Sequence, residues 1–343
     1  MMEVLNVEGI FELGDFRLKS GEVLANAKLS YETHGNLNAE KTNVILYPTW
    51  YSGRHDDNRG AIGPGKAMDP DKYFIVVPDM FCNGLSSSPS NTPAPQDGPR
   101  FPRINVYDNV IAQHALLTHE FGIENIRLVA GFSMSAQQAF HWGAHYPQMV
   151  EAIAPICGSA RTSRHNWLFL EGLKCALTAD ADFQGGEYQN PPELGLKAFS
   201  TIYAGWFASQ TYYRESLDLT FGGQALQNME EFLNTAHEVF AKNDANDLLG
   251  MLDTWQSADL SNHTGFNGNL EKALSSIHCR AIVMPSETDL YFPPADNELE
   301  VDLMPNAELN VIPSVYGHLA GGPGFSNDAH DEYIDNVLKR LLL

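Results

Sequence analysis

The sequence predicts an α/β domain: a mostly parallel sheet with helices on both faces, interrupted by a helical insertion. Three observations carry that reading. Short β-branched runs alternate with helical stretches, the runs are continuously apolar rather than alternating, and the texture becomes purely helical between about residues 158 and 268. A strand that is apolar on both sides has both faces covered, as in a parallel sheet flanked by helices.

In chain order the predicted strands are "NVILY" (43–47), "YFIVVP" (73–78), "IRLVA" (126–130), "EAIAPI" (151–156), "RAIVMP" (280–285) and "ELNVI" (308–312). Residues 106–121 and 134–146 read as crossover helices. The segment "NGLSSSPSNTPAPQDGPRFPR" (83–103) is rich in Pro, Ser and Gly and reads as a loop. Its length suits either a substrate contact or a cover for the sheet edge. "GPGK" (63–66) lacks the spacing of a phosphate-binding loop and reads as a turn. The domain reading is therefore a core of residues 1–157 and 269–343 with a helical lid of 158–268.

Composition limits the function. Hydrophobic residues make up 43% and charged residues 19% of the 343, an ordinary globular balance. A formal charge of −22 argues against nucleic-acid and anionic-lipid partners. No apolar run is long enough to span a membrane. The acidic start "MMEVLNVEGIFELGD" lacks the pattern of a secretory leader. Cys82, Cys157, Cys175 and Cys279 have no CxxC spacing, so neither a zinc site nor a disulfide framework is expected. A reducing cytoplasm is the expected location.

The chemistry centres on "LVAGFSMSAQQAF" (128–140), in which Ser133 follows a strand and precedes a helix. A sharp turn there would lift the hydroxyl off the sheet and aim helix N–H groups at a developing oxyanion. Ser133 could instead only cap the helix. The usual pattern is G-x-S-x-G, and Ser135 stands at the last glycine. Asp289 in "SETDLYFPP" and His318 in "YGHLAGG" each lie just past a predicted strand. Catalytic groups of open α/β sheets gather at the carboxyl ends of strands, and the order Ser133, Asp289, His318 is that of an α/β-hydrolase fold. In this arrangement His318 is the base, Asp289 fixes its tautomer, and the N–H groups of Met134 and Trp50 hold the oxyanion.

The segments "YETHGNLNAEKTNVILYPTWYSG", "GAIGPGKAMDPDKYFIVVPDMFCNGLSSSPSNT", "GFSMSAQQAFHWGAHYPQMV", "SETDLYFPP" and "YGHLAG" resemble the homoserine O-acetyltransferase family of α/β-hydrolases. The resemblance runs from about residue 29 to 320. It implies a triad of Ser133, Asp289 and His318, and ping-pong transfer of an acyl group from a coenzyme A thioester to a small alcohol. It also implies a homodimer formed through lid helices. No bound cofactor is expected, with an acyl-CoA or an ester as substrate.

The resemblance weakens where substrate is chosen. Family transferases read G-G-S-M-G-G around the nucleophile, whereas Phe132, Ser135 and Ala136 stand here. The family's carboxylate-binding arginine aligns with Lys174, which keeps the charge but loses the bidentate fork. Arg161 and Arg164 are nearby alternatives for that role, or are plain surface residues. Three readings stay open: acyl transfer to an alcohol, ester hydrolysis with water as acceptor, and a non-catalytic binding protein on the same fold. His141 and His145 have the i, i+4 spacing of a metal pair, but no accompanying glutamate makes one, so no metal is expected and they read as structural. The rings of Trp167, Phe169, Tyr203, Trp206, Phe207, Tyr212 and Tyr213 read as lid core, with a few lining an apolar acyl pocket.

Overall fold

The computed structural model describes residues 6–343. Eight strands form one sheet: β1 (Val7–Arg17), β2 (Val23–His34), β3 (Val44–Leu46), β4 (Phe74–Pro78), β5 (Leu128–Phe132), β6 (Ala152–Ile156), β7 (Arg280–Val283) and β8 (Ala307–Leu309). Their spatial order is β1-β2-β4-β3-β5-β6-β7-β8. Pairing from β4 to β8 is parallel, and β1 and β2 join antiparallel at one edge.

All six predicted strands are present, and the β1–β2 hairpin is an addition. β5 reaches further than its predicted end, to Phe132, so the strand runs directly into the turn at Ser133. The interior parallel strands are covered on both sides, and the edge strand β8 is partly exposed. Leu46, Val129 and Ile153 pack in one apolar cluster, whereas their strand neighbours Ile45, Leu128, Ala130 and Ala154 pack in the other.

Helices α1 (Val106–Ala115) and α2 (Met134–His145) follow β4 and β5. The predicted helix over 106–121 is α-helical only to Ala115 and finishes as a π turn over Leu116–Glu120. Phe140 and Trp142 of α2 pack on the first face of the sheet.

Between β6 and β7 come α3 (Arg164–Thr178), α4 (Glu193–Phe207), α5 (Gln210–Arg214), α6 (Met229–Ala241), α7 (Ala245–Gln256) and α8 (Leu270–Leu274). The two ends of this run are clipped together. Thr162 N–H donates to Ala258, Leu260 N–H donates to Ala160, and Arg161 bridges to Asp259. The helices are also fastened to the core: the Tyr51 hydroxyl donates to Leu248 of α7, and Asn166 of α3 donates to the Tyr291 carbonyl. Helices α9 (Pro294–Val301) and α10 (Asp328–Leu342) complete the chain, with Val337, Leu338 and Leu341 of α10 covering the second face.

The 83–103 loop serves the sheet edge. Beyond the stretch of β2 that pairs with β4, Ser86 and Ser87 bond to Lys28 and Ser30, and Gln96 bonds to Val23 and Ala25. "GPGK" is a turn, closed by Lys66 N–H to the Gly63 carbonyl.

Candidate active site

The turn at Ser133 is sharp because its backbone sits at φ 60°, ψ −124°, a region that L-residues seldom occupy. Two glycines make room for it. A Cβ on Gly131 would collide with Ser135 Oγ, and one on Gly158 would collide with Ala136 Cβ. Ser135 is accommodated at the usual glycine position because the residue facing it has no side chain.

Ser133 stands at the N-cap of α2, yet its side chain makes no capping hydrogen bond. The hydroxyl lies 2.9 Å from His318 Nε2 instead. His318 Nδ1 lies 2.7 Å from Asp289 Oδ2. Asp289 Oδ1 accepts from the N–H groups of Tyr291 (2.7 Å) and Phe292 (3.1 Å). With both its oxygens partnered, the carboxylate is held in one orientation. An ionised carboxylate only accepts, so the histidine proton belongs on Nδ1 and Nε2 is free to accept from the serine.

The loops carrying Asp289 and His318 are tied together. Gly317 N–H donates to Thr288 Oγ1, which itself donates to the Ser314 carbonyl. Rings enclose the imidazole, with centroids at 4.7 Å for Phe132, 4.7 Å for Tyr291 and 5.6 Å for Phe292. All three triad residues are buried.

Met134 N–H opens α2, and Trp50 lies in the loop after β3. Among the described residues neither N–H donates to a protein acceptor, as an oxyanion hole requires. The Trp50 loop is fixed by a residue that the sequence reading missed. Gln138 Nε2, one helical turn beyond Met134, donates to the Thr49 carbonyl at 3.0 Å. Its Oε1 accepts from Gln113, whose own Oε1 accepts from Trp142.

Above Ser133 lies a cavity of about 60 Å³ lined by Trp50, Tyr51, Ser52, Phe132, Tyr203, Phe207, Phe221, Ala236, Val239, Phe240, His318, Leu319 and Phe325. Two rings of the predicted lid cluster, Tyr203 and Phe207, face it. Burial raises the phenol pKa values of Tyr51 and Tyr203, so both stay neutral. Among the described residues no lysine, arginine or carboxylate lines the chamber.

The three predicted substrate cations are elsewhere. Lys174 turns toward α7, with Nζ 2.6 Å from Asp253 and 3.0 Å from Gln256. Arg161 pairs with Asp259 at 3.0 Å at the base of the helical run. Arg164 is exposed on the first turn of α3. Each is directed by an acidic partner or by solvent, and none lines the chamber.

His141 and His145 pack against each other, with ring centroids 5.4 Å apart. Burial pushes the His145 pKa down to about 3 and lowers that of His141 well below its ordinary value, so both are neutral. No group of three or more His, Cys, Asp or Glu among the described residues is placed to hold a metal.

No family model matches the chain. Individual proteins do. The ethyl acetate hydrolase of Pseudomonas veronii is 40% identical over 319 residues, covering 91% of this chain and 90% of that protein. The homoserine O-acetyltransferase of Chlorobaculum parvum is 32% identical over 313 residues, covering 88% and 87%. The chain is a divergent member of the homoserine O-acetyltransferase family of α/β-hydrolases. The solved acetylester hydrolase of Corynebacterium glutamicum superposes with a TM-score of 0.92 at 35% identity, over 98% of this chain and 96% of that one. These relatives are named as ester hydrolases and an O-acetyltransferase, all enzymes of the α/β-hydrolase type. The chain is such an enzyme rather than a binding protein.

Proposed function

We propose that this protein hydrolyses carboxylic esters of small, neutral acyl groups and alcohols. The observation that carries the reading is the chamber over Ser133, which is small, apolar and free of fixed charge. A neutral ester leaves no charge to be matched there. The carboxylate of homoserine would be desolvated without a partner, at a cost of several kcal/mol.

In the proposed cycle His318 takes the Ser133 proton as the oxygen attacks the ester carbonyl. Asp289 stabilises the resulting imidazolium, and the Met134 and Trp50 N–H groups hold the oxyanion. Collapse of the tetrahedral intermediate expels the alcohol, which takes the proton from His318. Water then repeats the sequence on the acyl-enzyme and releases the acid. The cycle needs no bound cofactor or metal.

A second reading, transfer of the acyl group to a small hydroxyl compound from an ester or acyl-CoA donor, is favoured by the 32% identical acetyltransferase. Pre-steady-state turnover of p-nitrophenyl acetate and acetyl-CoA, each with and without homoserine, separates the two. Hydrolysis predicts free acetate at a rate that homoserine does not change. Faster acyl-enzyme breakdown together with an O-acetyl product would establish transfer.

We further place the enzyme in a reducing cytoplasm, on the strength of its four free cysteines, of which Cys175 is exposed. Among the described residues no helix is long and apolar enough to cross a membrane. The homodimer implied by the family resemblance would cover Leu168 of α3 and Leu194 of α4, which are 65% and 75% exposed. Light scattering on the wild type and on Leu168→Glu tests that assembly.

A further inference from the structure

Two cavities lie at the carboxyl end of the parallel strands. The reaction chamber measures about 60 Å³. The second, about 230 Å³, lies between α10 and the segment that carries His318, and its walls include Tyr47, Met68, Ile156, Ile334 and Leu338. The two share the chain from 318 to 325 as a partition. His318, Leu319 and Phe325 face the reaction chamber, while Gly321 and Pro323 face the second cavity.

Phe132 packs against that partition. Its ring lines the reaction chamber, yet it packs in the same apolar cluster as Tyr47, Ile156 and Leu338 of the second cavity. The ring lies tight against the partition backbone. A Cβ on Gly321 would meet Phe132 Cδ2 at 3.1 Å, and one on Gly322 would meet Phe132 Cζ at 3.1 Å. The Trp50 ring packs edge-on against Phe132, with centroids 5.5 Å apart.

We propose that Phe132 sets the acyl-chain length of this enzyme by separating the reaction chamber from a second chamber that would take a neutral, medium-length aliphatic chain. The proposal rests on the ester-hydrolase reading. Chain chemistry follows from the second chamber's lining. Its wall is largely apolar, and the three carboxylates among its lining residues, Asp331, Glu332 and Asp335, outnumber the one cation, Lys66, so that a chain ending in a carboxylate would be repelled. With the ring in place, an acyl group longer than the reaction chamber has no route toward Ile334 and Leu338. Removing the ring joins the two spaces.

The test measures kcat/KM for p-nitrophenyl acetate and p-nitrophenyl octanoate in the wild type, Phe132→Ala, Ile334→Trp and the double variant. The octanoate-to-acetate ratio cancels any loss that comes from the contact between Phe132 and His318. Each buried methylene is worth about a factor of four, so admitting three or four raises the ratio in Phe132→Ala on the order of 100-fold. Ile334→Trp alone leaves acetate hydrolysis unchanged. In the double variant the indole occupies the second chamber and returns the ratio toward wild type.

A ratio in Phe132→Ala within roughly threefold of wild type would overturn the proposal. So would a double variant that keeps the full Phe132→Ala ratio. Where Phe132→Ala does not fold, Phe132→Val reads the same ratio. A wild type that hydrolyses neither ester refutes the hydrolase reading, which is a separate outcome.

Discussion

Replacing Ser133 by alanine and by glycine separates the chemistry of its hydroxyl from the strain of its backbone. Both variants lose the oxygen, so both lose turnover, on the order of 10⁴-fold or more. Their stabilities should differ. The backbone at φ 60°, ψ −124° is the mirror image of an extended conformation. A residue with a Cβ is strained there by about 1–3 kcal/mol, whereas glycine adopts a conformation and its mirror about equally. Against glycine stand its greater unfolded-state entropy and the loss of one buried methyl, together roughly 1–1.5 kcal/mol. With strain in the upper half of its range, Ser133→Gly exceeds Ser133→Ala by about 1 kcal/mol. For 343 residues the unfolding entropy is roughly 0.7 kcal/mol per kelvin, so the expected gap in Tm is about 1–2 °C. Scanning calorimetry on the two variants, side by side, reads this directly. An alanine variant that melts at or above the glycine variant would show that the turn stores too little strain to matter.

Asp289→Asn should lower kcat by up to about 10⁴-fold, because the amide cannot hold His318 in the tautomer that accepts from Ser133. Activity within tenfold of wild type would remove Asp289 from its role. Lys174→Ala should leave kcat/KM for p-nitrophenyl acetate nearly unchanged and lower stability by up to about 1 kcal/mol, because its partners are Asp253 and Gln256. A tenfold or greater fall in kcat/KM would put Lys174 in the substrate site. Glu300, whose carboxylate accepts from Ala160 N–H and Asn297, is pushed up from 4.5 to about 8 by burial. Its folded pKa lies above its unfolded one, so the folded state binds the extra proton and stability falls as pH rises between those values. Denaturant titration of Glu300→Gln between pH 4.5 and 8 should show a flatter profile than wild type, and parallel profiles would refute the assignment.

The parts of the fold legible in the sequence share one property. Each interior parallel strand, β3 to β7, is a short apolar run, because both its faces are covered within the domain. The β1–β2 hairpin escaped that criterion, since β1 alternates partly buried Phe11 and Leu13 with exposed Glu12 and Asp15 at the sheet's outer edge. Ser133 and its partners were legible because each lies just past a strand, where a local pattern sets the position in space. The substrate cations were not. Whether Lys174 faces the chamber depends on the rotation of α3 and on Asp253, 79 positions away. Gln138 was hidden for the same reason, because the carbonyl it holds is 89 positions distant.

The choice between water and an alcohol at the acyl-enzyme therefore depends on a property that no motif encodes. In the proposed cycle Ser133, Asp289 and His318 serve both outcomes identically. What differs is the electrostatic character of the space over Ser133. Its lining includes His318, which the proposed cycle uses, and the phenols of Tyr51 and Tyr203, which burial keeps neutral. A charged acceptor must leave water to reach the acyl-enzyme and finds no counter-charge on arrival. Water enters without that cost and finds His318 Nε2 free to accept its proton once the alcohol has left. Moving a single cation from the α3–α7 contact into the chamber would reverse this preference without changing any residue of the triad.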